Sequence, residues 1–200
     1  MTSHVAIQPK ILYYGTPVVL LTTENEDGTT NISPISSSWA LGYHVILGLG
    51  YGSQGLENLR RTKECVINLP EASMWRQVEA LAPLTGRNPV PAYKQELGFR
   101  HEADKFHAAD LFALESELVR PKRVGNCPLQ LEAVVKNIRI PDYADFFAIV
   151  ETEVKRVHAD RRIVLGTNHI DPAAWNPLIY NFRHYFGLGD ELGKTYRSET

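Results

Sequence analysis

Two strand-like runs, His44 to Leu49 and Glu64 to Leu69, are joined by a segment with room for barely two turns of helix, from about Leu56 to Thr62. That length decides the fold class. A parallel pair of strands needs a crossover of at least ~10–12 residues to bring the chain back to the start of the sheet, so the two runs do not form a doubly wound nucleotide fold. The point matters because Gly50, Gly52 and Gly55 spell G-x-G-x-x-G after a strand, with Glu71 about where a ribose-binding acid would stand. The spacing matches a dinucleotide fingerprint, but the short helix and the hairpin before it do not.

Most of the remaining chain reads as short antiparallel strands. Thr16 to Thr23 is a near-continuous apolar and β-branched run closed by Glu24-Asn25-Glu26-Asp27-Gly28, a strand entering a hairpin whose partner is Thr30 to Ser37. Pro34 has no N–H for the ladder, which predicts an edge or a bulge there. A helix capped by Ser73 and stopped by Pro83 carries Trp75, Val78, Leu81 and Ala82 at helical spacing, with Trp75 as its core anchor. Strands resume at Leu114 to Val119, Leu129 to Ile138 and Phe146 to Val154. In the second, Leu129, Leu131, Ala133 and Val135 oppose Gln130, Glu132 and Lys136, the period of a half-buried strand. Six or more strands, few long helices and hairpin-length connections predict a mainly β chain, closed or nearly closed into an antiparallel barrel.

Two segments stand outside this pattern. Residues 83–112 hold Gly86, Asn88, Pro89 and Pro91 and a short helix near Tyr93 to Leu97, and an insertion of this length reads as a lid or an interface arm. His101 and His107 lie in it beside Glu102 and Asp104, but without the two-His helical spacing of a metal site, so no metal is expected. Residues 176–193 are too aromatic for a disordered end and are expected to return and pack on the barrel.

The whole chain, 200 residues with 44% apolar composition, suffices for one core and a single domain spanning 1–200. Its 21 basic and 23 acidic residues are dispersed, giving no field that would favour nucleic acid or an anionic membrane. Met1 to Ile7 lacks a basic segment followed by a long apolar one, and no run approaches the ~18 apolar residues of a span. A cytoplasmic location is expected. Cys65 and Cys127 fit a reducing compartment, one as a packed thiol and one as an incidental thiol.

Candidate chemistry concentrates between Thr29 and Pro70. Ser36, Ser37 and Ser38 follow Pro34 and precede Trp39, small donors beside a large aromatic plane, which suits a planar hydrogen-bonding ligand. Gly50-Tyr51-Gly52-Ser53-Gln54-Gly55 then opens the short helix, with Leu56 and Leu59 inward and Glu57, Arg60 and Arg61 outward. The free N–H groups of a first turn and the positive end of the helix dipole attract a phosphate.

These motifs together resemble the flavin reductase-like family. The resemblance runs from about Tyr14 to Gly193 and rests on Asn31 to Trp39, the Ser53 to Asn58 turn and helix start, Cys127-Pro128-Leu129-Gln130-Leu131-Glu132, and Pro177 to Tyr180 followed by His184 to Gly189. It implies a split antiparallel β-barrel of the FMN-binding type with Greek-key connections, usually a homodimer. Ser36, Ser37 and Ser38 would run along the flavin ring beside Trp39. Tyr51, Gly52, Ser53, Gln54 and Asn58 would lie near the ribityl chain and phosphate, while His184 and Tyr185 would close over the ring. Many relatives carry a basic residue in the phosphate turn where this chain has Gln54-Gly55-Leu56-Glu57. Backbone N–H groups, Arg60, Arg61 or the other subunit would then serve the phosphate.

The implied activity is reduction of FMN by NADH or NADPH, with electrons passed to free flavin, a partner monooxygenase or oxygen. His184 is the candidate for steering the nicotinamide. Two alternatives stand beside it: a flavin-binding electron carrier or sensor without its own NAD(P)H site, and a barrel binding another planar cofactor such as haem or a deazaflavin.

Overall fold

The structure, a computed structural model, describes residues 3–198. Met1 and Thr2, where the N-terminal reading begins, and the last two positions of the 1–200 domain lie outside the described residues.

Strands and helices are numbered along the chain. β1 (Tyr14–Pro17), β2 (Val19–Glu24), β3 (Thr30–Ile35), β4 (Ser38–Leu41) and β5 (His44–Gly50) precede helix α1 (Gln54–Thr62) and β6 (Glu64–Leu69). Helix α2 (Trp75–Leu81), β7 (Leu84–Thr85), α3 (Ala92–Glu96), β8 (Arg100–His101), α4 (Lys105–Ala108), β9 (Ala113–Leu114) and β10 (Arg123–Val124) lead to two long strands, β11 (Leu129–Arg139) and β12 (Phe147–Ala159). The short pairs β13 (Val164–Leu165) with β14 (His169–Ile170), and β15 (Ile179–Asn181) with β16 (His184–Phe186), complete the chain.

Seven strands form one antiparallel sheet in the order β3-β2-β6-β11-β12-β5-β4. Its two outermost strands, β3 and β4, are consecutive in sequence and joined only by Ser36 and Ser37. Three Cα steps reach at most ~11 Å, whereas six spacings of ~4.8 Å would put the edges of a flat sheet ~29 Å apart. The sheet therefore curls until its edges nearly meet. The outcome is the mainly β half-barrel anticipated from the strand pattern, with a seam at the serine link. Pro34 sits on an edge strand, where its missing N–H costs no ladder bond.

Strand β2 explains its own composition. Val19 and Leu21 face the barrel interior with Leu47, Leu56, Leu59, Ile67 and Val150, while Val18 and Leu20 face a second core with Ile32, Met74, Val78, Leu81 and Leu178. Burial on both faces requires an unbroken apolar run rather than alternation. The two cysteines divide between these cores, Cys65 in the first and Cys127 in the second, so Cys127 is packed rather than incidental. Burial pushes the Cys65 thiol up to about 12 and the Cys127 thiol higher still, leaving neither nucleophilic at neutral pH.

Several boundaries differ from the sequence reading. The first strand breaks at Val18 after Pro17: β1 pairs with β15, β2 pairs with β3 and β6, and the Val18 N–H goes to Leu178 O. The hairpin partner stops at Ile35, and Ser38 and Trp39 already belong to β4. Trp75 is not a core anchor. It is 40% exposed beneath the Arg76 guanidinium, because the buried stripe runs through Met74, Val78 and Leu81. Ser73 lies inside a 3₁₀ turn and bonds Glu71 instead of capping the helix.

The Leu114 to Val119 strand is also absent. The N–H groups of Glu117 and Leu118 donate to the Glu132 carboxylate at 2.9 and 2.6 Å, which takes them out of any ladder. This loop covers the polar face of β11, so Gln130 and Glu132 are buried rather than solvated. Each is satisfied: Gln130 Nε2 donates to Val124 O and Cys127 O, and Glu132 also meets His158 Nε2 at 2.7 Å. Finally, residues 83–112 do not stand off as an exposed arm, since Leu84, Ala109 and Leu111 belong to the second core.

Candidate functional site

The seam opens into a cleft of about 410 Å³ with three walls. The first is the serine link with Ser33, Pro34 and Ile35, facing Gly48, Leu49 and Gly50 of β5. Gly48 is where the link runs alongside β5, just past the Ser38–Leu47 pair. Its N–H donates to Ser37 O at 2.7 Å, and a Cβ there would stand 2.9 Å from Ser37 Cβ.

An aromatic wall comes from both ends of the chain. Tyr13 lies 5.4 Å from Tyr180, and Tyr180 lies 5.7 Å from Tyr185, centroid to centroid. Tyr13 Oη and Ser37 Oγ share a 3.1 Å hydrogen bond, and Tyr185 Oη donates to Glu79 Oε2 at 2.9 Å. Burial, that bond and the Glu79 charge push the Tyr185 phenol well above the ordinary tyrosine value. It stays protonated and oriented.

The third wall is the 83–105 segment, through Leu84, Thr85, Gly86, Lys94, Phe99 and Lys105. Lys105 is 3% exposed, and its Nζ donates to Asn31 Oδ1 at 2.9 Å and Ile32 O at 2.8 Å. Burial, aided by the charge of Lys94 and opposed by Glu102, pulls its ammonium down from 10.5 to about 8. Lys94 is lowered as well, by burial and by Arg87. Gly86 permits this arrangement, because a Cβ at that position would lie 2.5 Å from Asn31 Oδ1. A chain with dispersed charge thus sets two of its lysines along one side of one cleft, where they attract an anion.

At the α1 end, Ser53 caps the helix by accepting the Leu56 N–H at 3.3 Å, and both Ser53 and Gln54 line the cleft. Among the residues singled out from the sequence, Ser36, Ser37, Ser53, Gln54 and Tyr185 come together here. Ser38, Trp39, Tyr51, Gly52, Asn58 and His184 do not. Ser38 and Trp39 pair with β5, and Trp39 is 60% exposed. Tyr51 stands outside with Arg60 stacked on it, and Gly52, at φ +73°, shapes the turn. Asn58 is buried beneath α1, bonded to Thr23 and Asn25. His184 precedes Tyr185 in β16 and, by strand alternation, faces outward, with Nδ1 on Phe182 O.

Arg60 and Arg61 are engaged elsewhere, Arg60 with Glu57 and Arg61 with the Glu24 carbonyl. Sequence reasoning missed Lys94, Lys105 and the Tyr13–Tyr180 pair. The available signal was Asp104-Lys105-Phe106, a helix cap followed by a lysine and an aromatic, but only tertiary packing turns that lysine inward.

Comparison with known proteins shows the family and the fold. Residues 11–189 match the flavin reductase like domain. A Bacillus subtilis (strain 168) protein, the uncharacterized protein YdfE, is 56% identical over 194 residues, covering 97% of this chain and 94% of that one. Among solved structures, flavoredoxin from Methanosarcina acetivorans superposes with a TM-score of 0.79 at 16% identity, over 98% of this chain and 97% of its own. Nitrilotriacetate monooxygenase component B from Bacillus cereus superposes at 0.76 with 14% identity, over 97% and 100%. At such identities the structures show a shared fold.

Proposed function

The chain belongs to the flavin reductase-like family, and from that premise we propose that its cleft holds FMN and serves an NADH- or NADPH-dependent flavin reductase. The observation that supports this most is the polarity of the cleft: hydroxyls and tyrosine rings at one end, a helix start and two lysines at the other. A planar hydrogen-bonding ring with a phosphate on a flexible chain has that same division. Bound there, a flavin supplies the redox chemistry, accepting hydride and releasing electrons onward.

The chain's own tasks are to position and to stabilise charge. Ser36 and Ser37 offer donors to the ring's edge, and Tyr13 holds the Ser37 hydroxyl in place. Tyr185, fixed by Glu79, takes the ring-side position that the resemblance gave jointly to His184 and Tyr185. The Ser53–Gln54 helix start and Lys105 receive the phosphate, with Lys94 as supporting charge. Electrons pass onward to free flavin, to a partner monooxygenase or to oxygen.

Anaerobic mixing with NADH or NADPH is expected to bleach the flavin band of the FMN-loaded protein within one turnover time. A spectrum unmoved by both reductants would replace the reductase with an electron carrier reduced by other means.

We further propose a homodimer. Trp39, Leu41 and Tyr43 are 60%, 74% and 68% exposed along β4 and the turn after it, an apolar outer face that two-fold pairing would cover. Sedimentation at micromolar concentration is expected to give the mass of two chains, and a single-chain mass would refute the dimer. The cytoplasmic assignment is likewise a proposal; among the described residues no helix is long and apolar enough to cross a membrane.

A further inference from the structure

Beyond the α1 end of the cleft lies a second groove of about 770 Å³ that shares Gln54 and Gly86 with it. Its size is in the ~300–1,000 Å³ range of small-molecule sites, and the mononucleotide reading leaves it unused.

The groove has a preset floor. Gln54 Nε2 donates to Asn58 Oδ1 at 2.9 Å, Asn58 Nδ2 to Asn25 Oδ1 at 2.8 Å, Asn25 Nδ2 to Thr29 Oγ1 at 3.0 Å, and Thr29 Oγ1 to Asp27 Oδ1 at 2.6 Å. Each link fixes the next, so the floor neither collapses nor rearranges cheaply.

Its walls carry two kinds of group. Arg87 and His101 both line it, and among the described residues neither side chain has an ion pair or hydrogen bond. They are neighbours because β7 and β8 pair in parallel, setting Thr85 opposite His101 and delivering the chain to Arg87 two residues later. The rest of the rim holds the carboxylates of Glu26, Asp27, Glu57 and Glu102, with Arg60 paired to Glu57 and Arg61 bonded to the Glu24 carbonyl. The unpaired Arg87 guanidinium, with the His101 ring lining the same wall, would take one further phosphate beyond the cleft. Carboxylates accept from the vicinal hydroxyls of a ribose and repel additional phosphates.

We infer that this groove receives the adenylate half of a dinucleotide, its 5′-phosphate at Arg87 and His101 and its ribose diol at the carboxylates, an inference that rests on the flavin reading of the cleft. The adenylate has two possible sources. It is either the continuation of a flavin in FAD or the far half of the NADH reductant.

Two variants test this. Ala103→Trp fills the groove from its wall, and His101→Ala removes a phosphate partner without adding bulk. In each, affinities for FMN and FAD are titrated, and KM for NADH is measured at saturating FMN. If the adenylate belongs to FAD, FAD affinity falls about tenfold, ~1.4 kcal/mol, while FMN affinity and the KM for NADH hold. If it belongs to the reductant, the KM rises by a similar factor and both flavins hold. The inference is overturned if both variants leave FAD affinity and KM unchanged, or if FMN and FAD weaken equally in both. A wild-type protein that binds neither flavin would overturn the cleft reading itself, and this inference with it.

Discussion

Replacing Lys105 with methionine is expected to weaken FMN by about 10- to 100-fold, the range of a charge-assisted hydrogen bond worth ~1.5–3 kcal/mol, and to leave riboflavin affinity where it was. Riboflavin has the same ring and no phosphate, so the pair of titrations isolates the charge. Methionine keeps most of the lysine stem and fills the same space between α4 and β3. Equal weakening of both ligands would mean that the wall had collapsed, and an unchanged FMN affinity would move the phosphate away from Lys105.

The same lysine sets two pH dependences of opposite sense. Burial holds its folded pKa at about 8 against an ordinary 10.5. In the ligand-free protein the unfolded chain therefore binds the proton more tightly than the folded one, and the Lys105 contribution to stability rises with pH from about 8 toward 10.5. Anion binding instead favours the protonated lysine. FMN affinity is expected to be full below about pH 8 and to fall above it. Both slopes should flatten in Lys105→Met, which fluorescence titration and urea unfolding across this range would read.

The second large effect is expected far from the cleft. Glu132→Ala should destabilise the protein by about 3–5 kcal/mol, the cost of breaking a buried charged pair from one side. Glu132 is fully buried, and its carboxylate accepts from Glu117 N, Leu118 N and His158, with Arg123 at 4.0 Å. Burial alone would raise its pKa, but those donors outweigh burial and hold it below the ordinary 4.5. A depressed carboxylate contributes stability above its unfolded pKa that is lost as pH falls through the folded one. Wild-type stability should therefore decline in acid more steeply than that of the variant. Urea unfolding curves that coincide at neutral pH would show that the 115–119 loop is held by something else.

The sequence exposed the barrel well because barrel strands obey a local rule. Val18 to Leu21 had to be apolar on both faces, and the short 56–62 helix ruled out a parallel sheet by length alone. Even the Pro34 edge followed from one missing N–H. Harder cases were decided by long-range covering. Gln130 and Glu132 looked like the wet face of an alternating strand, and only the loop folded over them makes that face dry. Trp75 looked like an anchor by size, yet a stripe one residue out of phase carries the burial.

The cleft divides along the same line. Ser36, Ser37, Ser53 and Gln54 were legible because a strand end and a helix start announce themselves in a few residues. Lys94 and Lys105 come from a segment without a periodic pattern, and their meaning depends on Asn31, 74 positions from Lys105. His184 and Tyr185 are adjacent, so no composition argument separates them; the register of β16 against β15 does, setting Tyr180 opposite Tyr185.

The seam also governs where this molecule tolerates a change of length. Between β3 and β4 there is no slack: β4 is held in register on β5 by the Gly42–Tyr43 turn at its far end, so one residue added to the Ser36–Ser37 link would have to bulge at the seam and would pull Ser37 off Gly48. The stretch between β7 and β8 is tied off at its base, with Leu84 opposite Arg100, so it can lengthen, shorten or exchange sequence without disturbing the barrel. One wall of the cleft is thus rigid in length, and the facing wall is an interchangeable part through which a fixed frame could be refitted to a different ligand.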